Sequence, residues 1–320
     1  MTDKQNPYRN KRPFDLKKGG ALVIILALLI LGANAILTEY GTPLPDNVVN
    51  VAEEIVTDAQ TPDFIETEIP PTPTVAIPAK GGTATAPWTS AESKFDYYVL
   101  ALSWQPAFCE TQPTKEECEM QAAGRFDANN FALHGLWPNI IGDDAHTYSY
   151  CDVTQGVIQQ DKAGDWCNMP QLSLSDTVWQ GLAVSMPGTA SCLQNHEWYK
   201  HGVCAGMSPE AYFALTNALV TRFAETDFNH YVAGRIGDDV ARRDLLSQFD
   251  AEFGDGASDF LSLRCTKLNG VSLLTEIQIV LQPDLATLNN FATLFPDEKI
   301  PPAGNCPQTF KVDQVGLRNY

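Results

Sequence analysis

The chain has 320 residues, a 44% share of hydrophobic side chains and a formal net charge of −18. This length accommodates one sizeable domain with extensions, and the hydrophobic share is that of a globular protein. The acidic balance excludes a protein that binds nucleic acid through a broad basic surface, because such proteins gain affinity from many phosphate contacts.

The first 37 residues predict an export signal. Basic residues before an apolar run and acidic residues after it direct the rest of the chain outward across a membrane. The apolar run covers residues 21–31, and six basic residues precede it: Lys4, Arg9, Lys11, Arg12, Lys17 and Lys18. Ala33-Asn34-Ala35 matches a signal-peptidase pattern, so the segment is either cut after Ala35 or retained as an anchor. An anchor is possible because residues 21–37 approach the roughly 17 to 25 residues that span a bilayer.

Residues 38–93 predict an acidic, disordered linker, because prolines recur among Thr, Ala and acidic residues without a periodic apolar pattern. The remaining residues, 94–320, form the predicted domain and contain all eight cysteines of the chain. An even number of cysteines, an export signal and the absence of a C-x-x-C pair indicate disulfides in an oxidising compartment. The sequence alone leaves their pairing open.

Strands and helices are both expected in this domain. Residues 97–104 and 273–281 predict strands from their apolar and β-branched content. Residues 209–224 predict a helix with Ser208 as its N-cap and Pro209 in the first turn. Residues 284–295 predict another helix. Because strands and helices do not alternate regularly, the fold class is α+β.

The stretch His134-Gly135-Leu136-Trp137-Pro138 follows three apolar residues, Phe131 to Leu133. Pro138 favours an extended Trp137 and predicts the end of a strand, with His134 at that end. A lone histidine there is more often packed than reactive. Together with a second reactive segment it would supply an acid or base near neutral pH.

That second segment is His196-Glu197-Trp198-Tyr199-Lys200-His201, which reads as a helix. Neighbours on a helix lie three and four residues apart, so His196, Glu197, Lys200 and His201 share one face. Trp198 and Tyr199 point to the opposite, packed side. The pattern predicts four reactive groups on one face.

A zinc protease helix is the nearest alternative, because His196-Glu197 begins like H-E-x-x-H. That motif needs a second histidine four residues after the first, and here Lys200 occupies the position. A cation at a ligand position disfavours a metal, so no metal or other cofactor is expected. A purely structural helix is the other alternative, which four polar groups on one face fit poorly.

The two stretches together resemble the active-site segments of the ribonuclease T2 family. The segment from Tyr98 to Cys109 is similar to the strand that opens the domain in bacterial members, and the end of the chain resembles the closing strand. The likeness covers about residues 94–320 and is weakest between residues 209 and 260. It implies an α+β fold with a central antiparallel sheet, packed helices and disulfides. It also implies an exported, metal-independent endonuclease that cleaves single-stranded RNA by general acid/base transesterification and leaves 2′,3′-cyclic phosphate ends.

The resemblance assigns roles to five residues. His201 would be the general base on the ribose 2′-hydroxyl, and His134 the general acid on the departing 5′-oxygen. Glu197 and Lys200 would stabilise the charged phosphorus centre, while His196 would bind the phosphate. Since DNA lacks the 2′-hydroxyl, this route would not cut it.

Recognition of the base is less well defined. Trp137 is expected to stack on a base or, equally, to pack in the interior. Asn139 is a second candidate base contact and stands where many relatives carry Asp. Leu193 stands where relatives often carry Phe. These departures leave the preferred nucleotide open.

The resemblance also favours the disulfides Cys151–Cys204 and Cys265–Cys306, which leaves Cys109 with Cys118 and Cys167 with Cys192. We expect a monomer outside the cytoplasm, with an acidic or mildly acidic pH optimum because protonated carboxylates repel RNA less. The alternative function is an exported RNA-binding or cytotoxic protein that has kept the fold without needing turnover.

Overall fold

The computed structural model describes residues 95–142, 148–285, 291–299, 304–318 and 320. The predicted export segment at 1–37 and the predicted linker at 38–93 lie outside these ranges. No helix within the described ranges is long and apolar enough to cross a membrane.

The strands are β1 (Tyr97–Ser103), β2 (Ala132–Asn139), β3 (Asp239–Ala241), β4 (Leu261–Leu268), β5 (Val271–Leu281) and β6 (Thr309–Lys311). The α-helices are α1 (Gln105–Thr111), α2 (Glu116–Glu119), α3 (Gln155–Lys162), α4 (Asp176–Ser185), α5 (Leu193–Lys200), α6 (Pro209–Ala224), α7 (Asp227–Ala233) and α8 (Arg242–Phe253). Short 3₁₀ turns lie at Phe126–Ala128, Trp166–Asn168, Pro187–Ser191, Gly202–Ala205, Ala257–Phe260 and Phe291–Leu294. The expected α+β class is confirmed.

The long strands of the sheet pair with one another in antiparallel orientation. β1 pairs with β2 on one side and β5 on the other, and β5 also pairs with β4. The expected central antiparallel sheet is therefore confirmed, and one parallel contact joins its strand β5 to β6, which carries β3 at the edge. This arrangement places β2 at the opposite edge.

The two faces of the sheet differ. Alternate residues of a strand point to opposite faces, so Tyr98, Leu100 and Leu102 of β1 enter the main core with helices α4, α6 and α8. The other face carries a smaller cluster that contains Tyr97, Val99, Ala101 and Trp137. The second face is the one on which the reactive residues lie.

The predicted strands and the longest helix are confirmed within two residues of their ends. In α6 the Ser208 Oγ accepts a hydrogen bond from the Ala211 amide at 3.2 Å, as an N-cap does. The predicted helix at 284–295 is not found in its described part, which contains one 3₁₀ turn at Phe291–Leu294, and residues 286–290 lie outside the described residues.

The expected end of β2 before Pro138 is wrong. The strand continues through Pro138 to Asn139, so His134 lies inside it. Proline lacks an amide donor, and an edge strand tolerates that loss because one of its sides needs no partner. β2 is such an edge strand.

All four expected disulfides form: Cys109–Cys118, Cys151–Cys204, Cys167–Cys192 and Cys265–Cys306. Two of them flank α5. Cys192 immediately precedes this helix and binds the 3₁₀ turn at Trp166–Asn168, while Cys204 follows the helix and binds the chain next to Tyr150. Both ends of the helix are thereby held against the segments that surround its reactive face.

Candidate active site

The five predicted site residues meet between β2 and the reactive face of α5. The helix begins after Cys192, whose left-handed φ of 60° turns the chain, and ends at Lys200, before the capping residue His201, where φ is −119°. Trp198 packs edge-on against Tyr212 in the core, as the helical pattern predicted. The opposite face of α5 therefore turns toward β2.

Glu197 is the centre of the group and is fully buried. Its Oε2 accepts a hydrogen bond from the Trp137 indole nitrogen at 2.7 Å. Its Oε1 has no hydrogen-bond partner among the described residues. Two imidazole nitrogens face that oxygen, the Nε2 of His134 at 3.5 Å and the Nε2 of His196 at 3.8 Å.

His134 reaches the site through an irregularity in β2. Ala101 pairs with Gly135 and Leu102 with Leu133, which leaves His134 without a partner on β1. Such a β-bulge turns a side chain away from its regular direction. The Nδ1 of His134 lies 2.6 Å from Oε2 of Glu276 on β5, and 33% of the side chain remains exposed.

Electrostatics favour the protonated ring of His134. Burial alone would lower the pKa of this imidazole, but the carboxylates of Glu276 and Glu197 outweigh burial and the positive charge of Lys200. They raise the pKa of His134 to about 9. In return, His134 lowers the pKa of Glu276 although burial acts in the opposite direction. The pair is therefore an imidazolium and a carboxylate at neutral pH.

His196 is held by a second carboxylate. Its Nδ1 lies 2.6 Å from Oδ1 of Asp161 on α3, and the Tyr150 hydroxyl donates to the other oxygen of Asp161 at 2.5 Å. Burial raises the pKa of Asp161, but the hydrogen bonds from His196 and Tyr150 prevail and lower it. Trp166 covers the ring of His196 with a centroid distance of 4.7 Å.

Trp137 lies between two of the histidines. Its ring centroid is 5.2 Å from that of His134, edge-on, and 5.2 Å from that of His201, tilted by 30°. Only 8% of Trp137 is exposed. The buried ring and the bonded indole nitrogen favour packing over stacking on a base, the two alternatives that the sequence left open.

Asn139 does not join the other site residues. It ends β2, five positions beyond His134, and is buried. Its side-chain amide donates to the Trp137 carbonyl at 2.9 Å. A contact with a base remains a prediction for this residue. The hydrogen bond indicates that the side chain stabilises the end of β2.

Three site residues also lie close enough together to act as ligands of one cation. Atoms of His196, Glu197 and His201 lie within 4.8 Å of one another. Lys200 belongs to the same helix face and acts on His134 and Asp161 by its positive charge. A cation beside the three groups would be repelled by this ammonium, whereas a phosphate would be attracted.

Sequence reasoning missed Glu276, Asp161, Tyr150 and Trp166, which support the histidines from outside the two motifs. Glu276 is 142 positions from His134, and Asp161 is 35 from His196. The one signal available was an acidic residue within the apolar strand of residues 274–281.

Beside His134 and Glu276 lies a cavity of about 540 Å³, which Leu193, Trp166 and Lys115 also line.

Several known proteins are similar to this chain in sequence. The model of the Ribonuclease T2 family matches residues 95–292. Ribonuclease I of Escherichia coli is 31% identical over 258 residues, which are 75% of this chain and 94% of the relative. Extracellular ribonuclease LE of Solanum lycopersicum is 32% identical over 36% of this chain and 45% of its own length. The solved structure of ribonuclease MC1 from bitter gourd seeds is 20% identical, covers 68% of this chain and 100% of its own, and has a TM-score of 0.43.

Proposed function

Because this chain belongs to the ribonuclease T2 family and is an RNA endonuclease, we propose that His201 and His134 are the base and the acid of its reaction. His201 takes the proton of the ribose 2′-hydroxyl, and the 2′-oxygen attacks phosphorus. His134 gives its Nε2 proton to the departing 5′-oxygen. One P–O bond forms and one breaks, and the product is a 2′,3′-cyclic phosphate.

The observation that carries this proposal is the convergence of the His134 and His196 Nε2 atoms on the unpaired oxygen of Glu197. Groups that act on one phosphate must lie within hydrogen-bond reach of a common point. The protonated His134 supports the acid role, since an acid must carry its proton at the working pH. His201, on the other side of Trp137, is the remaining imidazole at the site.

We assign the other groups to the charge that develops on phosphorus. Lys200 supplies a positive charge to the phosphate oxygens, and His196 helps to bind the phosphate. The carboxylate of Glu197 balances the positive charge of the His134 ring, which lies 3.5 Å from it. Its own position depends on the indole of Trp137, for which we propose this supporting role.

The cavity beside His134 takes the leaving nucleoside in this proposal. The acid protonates the 5′-oxygen of that nucleoside, so the nucleoside lies on the side of His134. Leu193 and Trp166 offer apolar and aromatic surface there.

We also propose export of the domain, with residues 21–37 as signal or membrane anchor. Four disulfides within the domain support an oxidising compartment. The name of the tomato relative gives the same location for that protein. Absence of DNA cleavage and a monomeric state remain predictions, the former because DNA has no 2′-hydroxyl.

End-group analysis of digested RNA tests the reaction. Fragments with 2′,3′-cyclic phosphate or 3′-phosphate ends are expected, and no fragments from DNA of the same sequence. Fragments that carry 5′-phosphate would rule out attack by the 2′-hydroxyl. RNA binding without cleavage would favour the alternative, an exported binding or cytotoxic protein with this fold.

A further inference from the structure

Glu276 contacts the proposed acid but belongs to neither reactive segment. We infer that Glu276 is a positioning residue, which holds the Nδ1 proton of His134 and turns Nε2, with the transferable proton, toward the departing 5′-oxygen. The inference rests on the acid role proposed for His134. Glu276 would thereby also influence the pH range over which His134 keeps its proton.

The backbone brings the two residues together across an intervening strand. His134 is on β2 and Glu276 on β5, and β1 lies between them. Glu276 pairs with Ser103 of β1, whose side chain therefore lies on the same face of the sheet. A residue in regular register on β2 would lie opposite a partner on β1. His134 has no such partner because of the bulge, and the bulge directs its ring across β1 to the carboxylate of Glu276.

Glu276 itself is fixed in place. Its Oε1 accepts a hydrogen bond from Gln278 at 2.7 Å, while its Oε2 faces the imidazole. Arg264, its partner on β4, also lowers the pKa of this carboxyl. An ionised carboxylate only accepts hydrogen bonds, so the nitrogen of His134 that faces it must carry a proton.

This arrangement determines which nitrogen reacts. With Nδ1 bound to Glu276, Nε2 is the nitrogen that faces Glu197 and the exposed part of the site. A neutral imidazole after proton transfer keeps its remaining proton on Nδ1 and is ready to accept a new one at Nε2. Without the carboxylate, either nitrogen could carry that single proton and the ring could rotate.

The charges around His134 come from two elements. Glu276 on β5 and Glu197 on α5 favour the imidazolium, and Lys200 on α5 opposes it. The two carboxylates prevail, so the acid keeps its proton through neutral pH. The alkaline limit of activity consequently lies above neutral pH, which modifies the acidic optimum expected from net charge.

The test compares three substitutions at residue 276 in the full-length protein, with kcat/KM on a dinucleoside phosphate measured against pH. Glu276→Gln keeps an oxygen for Nδ1 but removes the charge. We expect its alkaline limit to move to lower pH by about 1–3 pH units, with kcat below that limit nearly retained. Glu276→Asp keeps the charge but withdraws it by one methylene, so kcat should fall while the limit moves less. Glu276→Ala should show both losses.

Two controls separate this inference from alternatives. Asp244→Asn removes an exposed carboxylate of α8 and should leave the profile unchanged. Titration of the His134 ring followed by NMR gives its pKa without reference to activity, in the wild type and in Glu276→Gln. We expect a wild-type pKa above the ordinary value of about 6.5 and a lower one in the variant.

A wild-type value at or below 6.5, or an alkaline limit that stays in place in Glu276→Gln, would overturn the inference. Failure of the proposed function has a different signature, namely full activity in His134→Ala. If Glu276→Gln does not fold, the wild-type titration and the Glu276→Asp profile still decide.

Discussion

The carboxylate of Glu197 lies against the backbone of Gly135. A β-carbon on residue 135 would stand 1.9 Å from Oε2 of Glu197 and 2.4 Å from the indole nitrogen of Trp137. No real structure tolerates such distances, so helix α5 approaches β2 this closely only because residue 135 is glycine. The hydrogen bond between Trp137 and Glu197 depends on the same gap.

Gly135→Ala should therefore displace Glu197 and inactivate the enzyme. A shift of about 1 Å in a reacting group lowers rates on the order of 100-fold, and overpacking of an interior destabilises by about 1–3 kcal/mol. Gly124→Ala is the matched control, because a β-carbon there meets no atom within 4 Å. Steady-state kinetics and thermal unfolding check both. An active Gly135→Ala would mean that Glu197 does not need its present position.

Trp137→Phe separates support of Glu197 from base stacking. Phenylalanine keeps an aromatic ring but leaves Oε2 of Glu197 without its donor, which destabilises a buried polar group by about 1–3 kcal/mol. We expect lower kcat and lower stability, with little change in KM. Trp198→Phe on the packed side of α5 provides a control of similar burial. A variant with normal kcat would indicate that the ring, and not its nitrogen, matters.

Chelation should leave activity intact. We expect equal rates with and without EDTA, because the reaction as proposed uses imidazoles and an ammonium. Added Zn²⁺ should not raise the rate, because the ammonium of Lys200 on the same helix face repels a cation beside His196, Glu197 and His201. Loss of activity in EDTA with recovery on metal addition would contradict the metal-free mechanism.

Stability should depend on pH through the pair His134–Glu276. The pKa of His134 is raised in the folded protein, so this pair stabilises fully below the unfolded value of about 6.5. The contribution is lost as pH rises toward about 9. The pKa of Glu276 is lowered, so protonation removes the contribution again in acid. Thermal unfolding should show Tm falling as pH rises from about 6.5 to about 9, and falling less in Glu276→Gln. Equal slopes in both proteins would be inconsistent with the pair.

The helical part of the site could be predicted from the sequence because its information is local. His196, Glu197 and Lys200 share a face by helical geometry, and Trp198 packs on the other side as the same geometry requires. His201 was expected on that helix but follows its last residue as the C-cap. The disulfides required more than local pattern, and their pairing came from the likeness to a family.

The supporting carboxylates could not be predicted because their partners are distant in the chain. Asp161 reaches His196 through the packing of α3 on α5, and Glu276 reaches His134 over a third strand. His134 was placed at a strand end because Pro138 was taken to stop β2. Edge strands tolerate proline, and whether a strand lies at an edge is a property of the whole sheet.

The assignment of acid and base is tested most directly by changing the leaving group. A uridine 3′-phosphodiester of 4-nitrophenol has a leaving group that departs without protonation, whereas the 5′-oxygen of a dinucleoside phosphate needs an acid. On the dinucleoside, His134→Ala and His201→Ala should both lose on the order of 10²–10⁴-fold in kcat. On the nitrophenyl ester, His134→Ala should recover nearly wild-type rates and His201→Ala should not. Recovery of His201→Ala, or of neither variant, would contradict the account.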